Sequence, residues 1–461
     1  MLHIVHLIER RFGARRGPRI VAALSLASLS LLLVGLGLLL SGRASAQAAD
    51  PAALATQALD RLDAGDYAQV EALFGAQMAA AVPADKLKAV WESLPAQAGK
   101  ATGRGEPAVS VQGDATIVQI PLHFEKAELV AKFAIGGDGK IAGFVVQPAQ
   151  VAAPAPAVAD DAAFTERELP VGDGERALPG TLALPKGDGP FPAVVLVHGS
   201  GPHDRDETIG PNKPFLDLAR GLAAQGIAVL RYEKRTKARP QDFAGGGFGV
   251  DDETTSDAVL AVDALRKADG VYPERVFVLG HSQGGLMAPR IAAQSGHVAG
   301  LVLLAAPARP LLDILIEQNR RMAVLDDGKT SDAERDAINA LIAQVRVARD
   351  PATDPMAKGP MGLPVGYWRS IDSVDPVAEA QQVDLPMLVL QGARDIQVVD
   401  ADWQTWKGAF HADPKVAFKL YDTLNHLGIA GEGEGSLAEY QRPGHVDPRL
   451  IDDVAAWIKA H

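Results

Sequence analysis

From Phe164 to His461 the chain alternates unbroken apolar runs with amphipathic stretches. Ala193–Val197 (AVVLV), Val276–Leu279 (VFVL) and Leu301–Ala306 (LVLLAA) carry no polar positions at all. Strands covered on both faces of a mostly parallel sheet read this way. The strand candidates are Gly180–Leu184, Ala193–His198, Ile227–Tyr232, Val276–Gly280, Gly300–Ala305, Pro386–Gln391 and Val416–Tyr421. Helical spacing fills the gaps, for example at Phe215–Gln225, Thr255–Lys267 and Asp447–Ala460. This order predicts an open α/β sheet. One interval, about 307–382, is too long for a single crossover. It holds helical patterns at Leu311–Leu325 and Asp332–Arg349 and a Pro/Gly/Trp stretch around Met361–Trp368. A helical cap over the site is expected there.

The earlier part of the chain has a different rhythm. Ala52, Leu54, Ala58, Leu59 and Leu62 fall on one helical face, and Gly65-Asp66 breaks it. Short helices are expected near Gln69–Phe74 and Asp85–Leu94. The period then drops to two, giving four strands at Val109–Val111, Thr116–Phe124, Glu128–Ile135 and Lys140–Gln147 with Gly-Asp turns between them. Residues 50–150 are therefore expected to form a small α+β unit. The run VAAPAPAVADD opens a Pro/Ala linker over 151–163, and the α/β unit spans 164–461.

The first 46 residues stand apart. Arg10, Arg11, Arg15, Arg16 and Arg19 precede an apolar run from Ile20 to Leu40, and Ala44-Ser45-Ala46 offers a small-residue cleavage site. This is the order of a secretory signal. The run is also long enough to span a bilayer, so the alternative is an anchor in the inner membrane through residues 20–40. In both cases the remainder is expected to be exported, periplasmic or secreted. The leading segment carries six Arg against one Glu, so the remainder has a net charge of −17 where the whole chain has −12. That balance argues against nucleic acid and anionic lipid as partners. The absence of cysteine excludes disulfides, thiolate metal sites and a Cys nucleophile.

The strand VFVL runs into Gly280-His281-Ser282-Gln283-Gly284, and helical residues follow at once. Gly-x-Ser-x-Gly between a buried strand and a helix has the spacing of a nucleophile elbow, which makes Ser282 the candidate nucleophile. A serine needs a base, and the base an orienting acid. Asp395 stands just past the strand Pro386–Gln391, and His426 follows the last strand. Serine, acid and histidine then occur in the chain order such a sheet requires. Asp400 and Asp402 are fallback carboxylates; the alternative reading is that Asp395 caps a turn or pairs with its neighbour Arg394. His411 and His445 read as surface residues, and His281 as a packing partner of the serine. Two backbone N–H groups are needed for an oxyanion. Gln283, next to the nucleophile, and Ser200, in His198-Gly199-Ser200-Gly201, are the candidates. Asp204-Arg205-Asp206-Glu207 and Tyr232-Glu233-Lys234-Arg235 read as salt-bridged segments that brace this loop. No spacing demands a metal or a cofactor.

Together HGSGPHDRDETIG, LRYEKRT, GHSQGG, QGARD and NHL resemble bacterial α/β-hydrolase-fold serine esterases of the serine-aminopeptidase-like superfamily. Residues 50–150 are similar to the small cone-shaped domain, of the nuclear-transport-factor-like kind, that precedes some of them. The resemblance implies a mostly parallel sheet with a helical cap insertion and hydrolysis of a small-molecule carboxylic ester. An aminopeptidase on the same fold would need an acidic clamp for a free α-amine, for which Glu317 and Asp326 are candidates. A thioesterase or dienelactone-type hydrolase is a further alternative. A non-catalytic envelope binding protein is the alternative of a different class, and the complete Ser, Asp and His set argues against it.

Overall fold

The computed structural model describes residues 50–112, 115–125, 127–148, 158–159, 162–325 and 328–461. The leading segment, most of the linker and Asp326 lie outside the described residues. Among the described residues no helix is long and apolar enough to cross a membrane. The chain divides into two compact units, 1–151 and 152–461.

The smaller unit opens with α1 (Pro51–Asp63), started by the Asp50 carboxylate accepting from the Ala52 amide at 3.0 Å and by Pro51 at the first helical position. Then come α2 (Tyr67–Glu71), α3 (Ala76–Ala81) and α4 (Ala84–Ala98). The sequence pattern ends the last helix at Leu94, before a proline; the helix instead continues through Pro95. Five antiparallel strands follow: β1 (Ala101–Arg104), β2 (Ala108–Gln112), β3 (Ala115–Phe124), β4 (Glu128–Ile135) and β5 (Ile141–Pro148). The order is β1-β3-β4-β5, with β2 also on β3. Leu59 and Leu62 of α1 are buried in one cluster with Phe133 and Phe144 of the sheet. β1 escaped the sequence reading because its residues, ATGR, are exposed or half-buried and carry no alternation.

The larger unit is an eight-stranded sheet in the order β13-β12-β11-β10-β8-β9-β7-β6. In chain order its elements are β6 (Phe164–Glu168), β7 (Gly180–Pro185), β8 (Phe191–Val197), α5 (Pro214–Ala224), β9 (Ala228–Tyr232), α6 (Arg235–Ala238), α7 (Ser256–Arg266), β10 (Val271–His281), α8 (Gln283–Ser295) and β11 (Leu301–Leu304). Next come α9 (Leu311–Leu325), α10 (Asp332–Arg349), α11 (Val365–Asp372), α12 (Pro376–Val383), β12 (Met387–Gly392), α13 (Asp400–Phe410), β13 (Val416–Tyr421) and α14 (Pro448–Ala460). β6 and β7 are antiparallel, and the strands from β9 to β13 are parallel. The apolar runs are central: residues 193–197 and 276–281 are buried throughout. One face packs on α7, α8 and α13, the other on α5 and α14. This is the α/β-hydrolase arrangement the sequence implies.

Two features position the site. The chain passes from β8 to β9 on one side and returns to β10 on the other, so the carboxyl ends of β8 and β10 form a switch point. Open α/β sheets bind ligands there. The interval between β11 and β12 holds α9 to α12. Among these, α12 is tied to α8 by Arg290–Glu379, while the α11 residues Val365, Tyr367, Trp368 and Ile371 are buried against the sheet's main core.

Candidate active site

β10 ends at the switch point, and the backbone reverses in one residue. Ser282 has φ 53° and ψ −120°, a conformation that L-residues avoid. The turn can be this tight because a Cβ at Gly280 would lie 2.2 Å from the Gly284 carbonyl oxygen, and one at Gly284 would lie 2.1 Å from the Val197 carbonyl oxygen. The Ser282 amide donates to the Leu304 carbonyl of β11 at 2.9 Å. The first helical bond of α8 runs from the Leu286 amide to the Ser282 carbonyl at 3.0 Å, so the Gln283 amide precedes the helical ladder. Ser282 is half-buried, with buried residues on either side of it.

Asp395 and His426 come from the ends of β12 and β13 and meet at 2.8 Å, Nδ1 to Oδ2. Both are buried, 6% and 3% exposed. The Asp395 carboxylate is fixed from all sides. Its Oδ1 accepts from the amides of Gln397 and Val398, and its Oδ2 also accepts from Gln391 Nε2 at 3.2 Å. An acceptor held this way favours the imidazole proton on Nδ1, which leaves the Nε2 lone pair free to accept a proton. Arg394 does not pair with Asp395. It turns away to the carbonyls of Glu432, Gly433 and Glu434 and to Glu439, and so fastens the loop after His426. His281, beside Ser282, packs its ring against that of His426 at a tilt of 50° with centroids 4.7 Å apart, and its Nε2 donates to the His426 carbonyl at 2.9 Å. Thus the loop bearing His426 is held against the elbow.

The loop after β8 is held by charge. A Cβ on Gly199 would sit 3.2 Å from the Ser282 Cβ, so this backbone passes directly beside the serine. The Gly199 amide donates to Glu207 Oε1 at 2.7 Å, and the Gly199 carbonyl accepts from Lys234 Nζ at 2.8 Å. Glu207 Oε2 lies 2.9 Å from His281 Nδ1, a charge contact rather than an aligned hydrogen bond. Lys234 lies 2.9 Å from Glu253 Oε1. Glu253 stands on a π-helical turn, Asp251–Thr255, and its Oε2 accepts from Tyr367 of α11 at 2.7 Å and from Gln283 Nε2 at 2.9 Å. Ser200 Oγ closes the circuit by donating to Gln283 Oε1 at 2.7 Å. The two candidate oxyanion residues are therefore bonded to each other through their side chains.

Three buried groups of this circuit, His281, Glu207 and Glu253, are shifted toward their charged forms. Burial resists charge on His281, but the Glu207 carboxylate outweighs it and raises the imidazole above its ordinary range. Burial would raise Glu207, and His281 holds it down instead. Burial likewise pushes Glu253 up, and Lys234, Tyr367 and Gln283 bring it below the usual range. His198 shows what happens without such a partner: burial pushes it down to about 3. It stays neutral, with Nε2 donating to the Asp204 carbonyl at 3.0 Å. The sequence pattern assigned Glu207 and Lys234 to bracing segments; Glu253 and Tyr367 gave no sequence signal, since nothing local marks a π turn.

The remaining candidates lie elsewhere. Asp402 is buried but accepts from Arg309 and the Ala308 amide. Asp400 is exposed and accepts from Gln404. His411 is exposed and bonds its own helix, and His445 pairs with Asp217. Glu317 is paired with Arg309 at 2.7 Å. In the run 204–207 Asp204 bonds Thr208, Arg205 bonds Glu168 and Glu233, and Asp206 bonds Arg231 and Lys213.

Comparison with known proteins places the sequence in a family. Residues 189–432 match the family described as serine aminopeptidase, S33. Residues 55–144 match a family described as a protein of unknown function, DUF3887. The chain is 38% identical over 383 residues to Esterase EstD of Thermotoga maritima, covering 83% of this chain and 89% of that protein. Solved structures that it resembles include Est1E from Butyrivibrio proteoclasticus, at 16% identity and a TM-score of 0.42 over 64% of this chain and 99% of that one. Another is the Pyrococcus furiosus esterase PF2001, at 17% identity and a TM-score of 0.42 over 67% of this chain and 96% of that one. With its sheet, its elbow and this relative over most of its length, the chain belongs to the serine aminopeptidase S33 family of α/β-hydrolase-fold enzymes.

Proposed function

We propose that this chain hydrolyses carboxylic esters through an acyl-enzyme carried by Ser282, His426 and Asp395. The carboxylesterase-type activity rests on the 38% identity to an esterase along most of both chains. The mechanism rests on one observation above all. A buried His426–Asp395 contact of 2.8 Å stands at the same sheet edge as a serine held in a strained elbow. In the reaction the Ser282 hydroxyl attacks the ester carbonyl while His426 Nε2 takes its proton. The imidazolium is stabilised by Asp395 and returns the proton to the leaving alkoxide. Water, deprotonated by His426, then attacks the acyl-serine and releases the acid. The amides of Gln283 and Ser200 receive the negative oxygen of each tetrahedral intermediate.

Esters are favoured over peptides by the state of Glu317. An aminopeptidase needs a carboxylate free to take the substrate's α-amine, and Glu317 already pairs with Arg309. The decisive experiment compares p-nitrophenyl esters of graded chain length with aminoacyl-p-nitroanilides, for the wild type and Ser282→Ala. Turnover of esters alone, lost by on the order of 10⁶ in the variant, is the expected result. Turnover of the anilides alone would replace this reading with a peptidase. Export belongs to the same proposal, and cell fractionation tests it: activity retained in the cytoplasm would remove it.

A further inference from the structure

Gly199 is held at both ends by buried ions. Its amide donates to Glu207 at 2.7 Å, and its carbonyl accepts from Lys234 at 2.8 Å. Glu207 and Lys234 are 0% and 2% exposed. The two contacts act on successive peptide planes. The Gly199 carbonyl and the Ser200 amide share one planar trans unit, so the N–H points opposite to the carbonyl. Fixing the carbonyl on Lys234 therefore fixes the direction of the Ser200 N–H. Fixing the Gly199 amide on Glu207 sets the preceding plane, and both rotations about the Gly199 Cα are then determined. Glycine needs such restraint, because without a side chain its backbone has the widest freedom.

A buried ion pair is a poor way to stabilise a fold, since desolvation offsets the attraction. Here two ion pairs converge on a single glycine, and each reaches the catalytic elements on its far side. Glu207 meets His281, which touches His426; Lys234 meets Glu253, which holds Gln283 and, through Tyr367, α11. His203 Nε2 adds a bond of 2.8 Å to the Ser200 carbonyl.

We propose that Lys234 and Glu207 are positioning residues of the oxyanion hole, which clamp the Gly199 peptides and thereby aim the Ser200 amide at the oxygen forming on the Ser282 adduct. This rests on Ser200 being an oxyanion donor, as assigned under the proposed function. Without Lys234 the Gly199–Ser200 peptide is free to rotate, and the donor is lost.

The test uses the full chain and the variants Lys234→Met, Glu207→Gln and Ser282→Ala. Active serines are counted with a fluorophosphonate, and kcat and KM are measured per counted site on p-nitrophenyl butyrate. Inhibition by phenylboronic acid, whose tetrahedral adduct places an oxygen in the hole, is measured alongside. Lys234→Met is expected to lose about 10² in kcat per site, the effect of one missing donor, with KM changed less than about threefold. Glu207→Gln, which keeps shape but not charge, is expected to lose about tenfold, and both are expected to bind the boronate correspondingly more weakly. Should Lys234→Met not fold, Glu207→Gln decides alone. A kcat per site within twofold of wild type in a variant that folds overturns the proposal, even if thermal stability falls. So does a lower kcat with boronate affinity unchanged, because the defect then lies outside the hole. Ser282→Ala separates the two readings: residual turnover there sinks the acyl-enzyme itself, whereas a dead Ser282→Ala beside unaffected clamp variants sinks only the clamp.

Discussion

Among the described residues, two buried histidine–carboxylate pairs lie side by side, their imidazole centroids 4.7 Å apart, and they are built on opposite plans. His426–Asp395 closes at 2.8 Å, and the carboxylate is surrounded by neutral donors: two backbone amides and the Gln391 amide. His281–Glu207 closes at 2.9 Å, and the Glu207 side chain's further hydrogen bond is from the Gly199 amide. On the proposed mechanism, the first pair holds its acid fixed so that the histidine can exchange protons. In the second the charges themselves are the fixing device, and what they fix is backbone. A catalytic pair must change protonation during each turnover, while a positioning pair must not. That difference predicts how each breaks.

The largest effect should come from Asp395→Asn. The Asn oxygen can keep the bonds from the Gln397 and Val398 amides. Its NH₂ then faces His426 Nδ1, so the imidazole must carry its proton on the wrong nitrogen. The expected loss in kcat is on the order of 10⁴ with the fold intact, read from steady-state kinetics beside a thermal melt. The same isosteric change at Glu207 alters no tautomer on the base and should cost only about tenfold. If the two variants lose equally, the pairs are not different in kind.

The next effect tests what holds each pair in place. The His426 loop is packed on backbone: a Cβ at Gly392 would stand 2.2 Å from the Leu424 carbonyl oxygen and 3.0 Å from that of Asn425. Gly392→Ala must push the end of β12 away from this loop. Overpacking of this kind typically costs about 1–3 kcal/mol, and backbone cannot yield as a side chain does, so about 3 kcal/mol is expected. Asp395 and His426 should separate with it, giving a lower melting temperature and a lower kcat together. A variant with wild-type kcat would show that the base loop follows Asp395 rather than the strand.

The first pair was legible in the sequence and the second was not, for physical reasons. Ser282, Asp395 and His426 each follow an apolar run, so the strand that carries them announces them. Their order along the chain does the rest. The strands β7 to β13 and the helices α9 and α10 were equally plain, because burial on both faces or on one stripe leaves a pattern. β1 and β6 were not: their residues, ATGR and FTERE, are mostly polar or exposed. Glu207 stands in Asp-Arg-Asp-Glu, which looks like a solvated charge run. Its 0% exposure comes with contacts to Gly199, eight residues earlier, and to His281, distant in sequence. Glu253 is hidden more deeply, since its position depends on a π turn. Charge reveals composition but not burial, and burial is what turns these residues into a clamp.

The smallest effect is a change of sign with pH, and it tests whether the second pair is ionised. In the wild type Glu207 raises the pKa of His281 above its ordinary value, near 6.5. The folded state then holds the proton more tightly than the unfolded chain. The pair's stabilisation is fully present below pH ~6.5 and is lost as pH rises through the folded value. Glu207→Gln removes the carboxylate and leaves burial, which acts on His198 beside it to push the imidazole down to about 3. In the variant His281 should titrate below 6.5 when folded. Its contribution is then lost as pH falls, at up to about 1.4 kcal/mol per unit below 6.5. The variant should therefore be destabilised more at pH 5.5 than at pH 8.5, by about 1 kcal/mol or somewhat more, read from thermal midpoints at the two values. His198, already pushed down to about 3 by burial, stays neutral at both pH values with or without Glu207 and so cancels, while His203, which Glu207 also raises, shifts in the same direction as His281 and adds to the effect. An equal deficit at both pH values would mean that His281 is neutral in the wild type, and that Glu207 holds Gly199 without a charged partner.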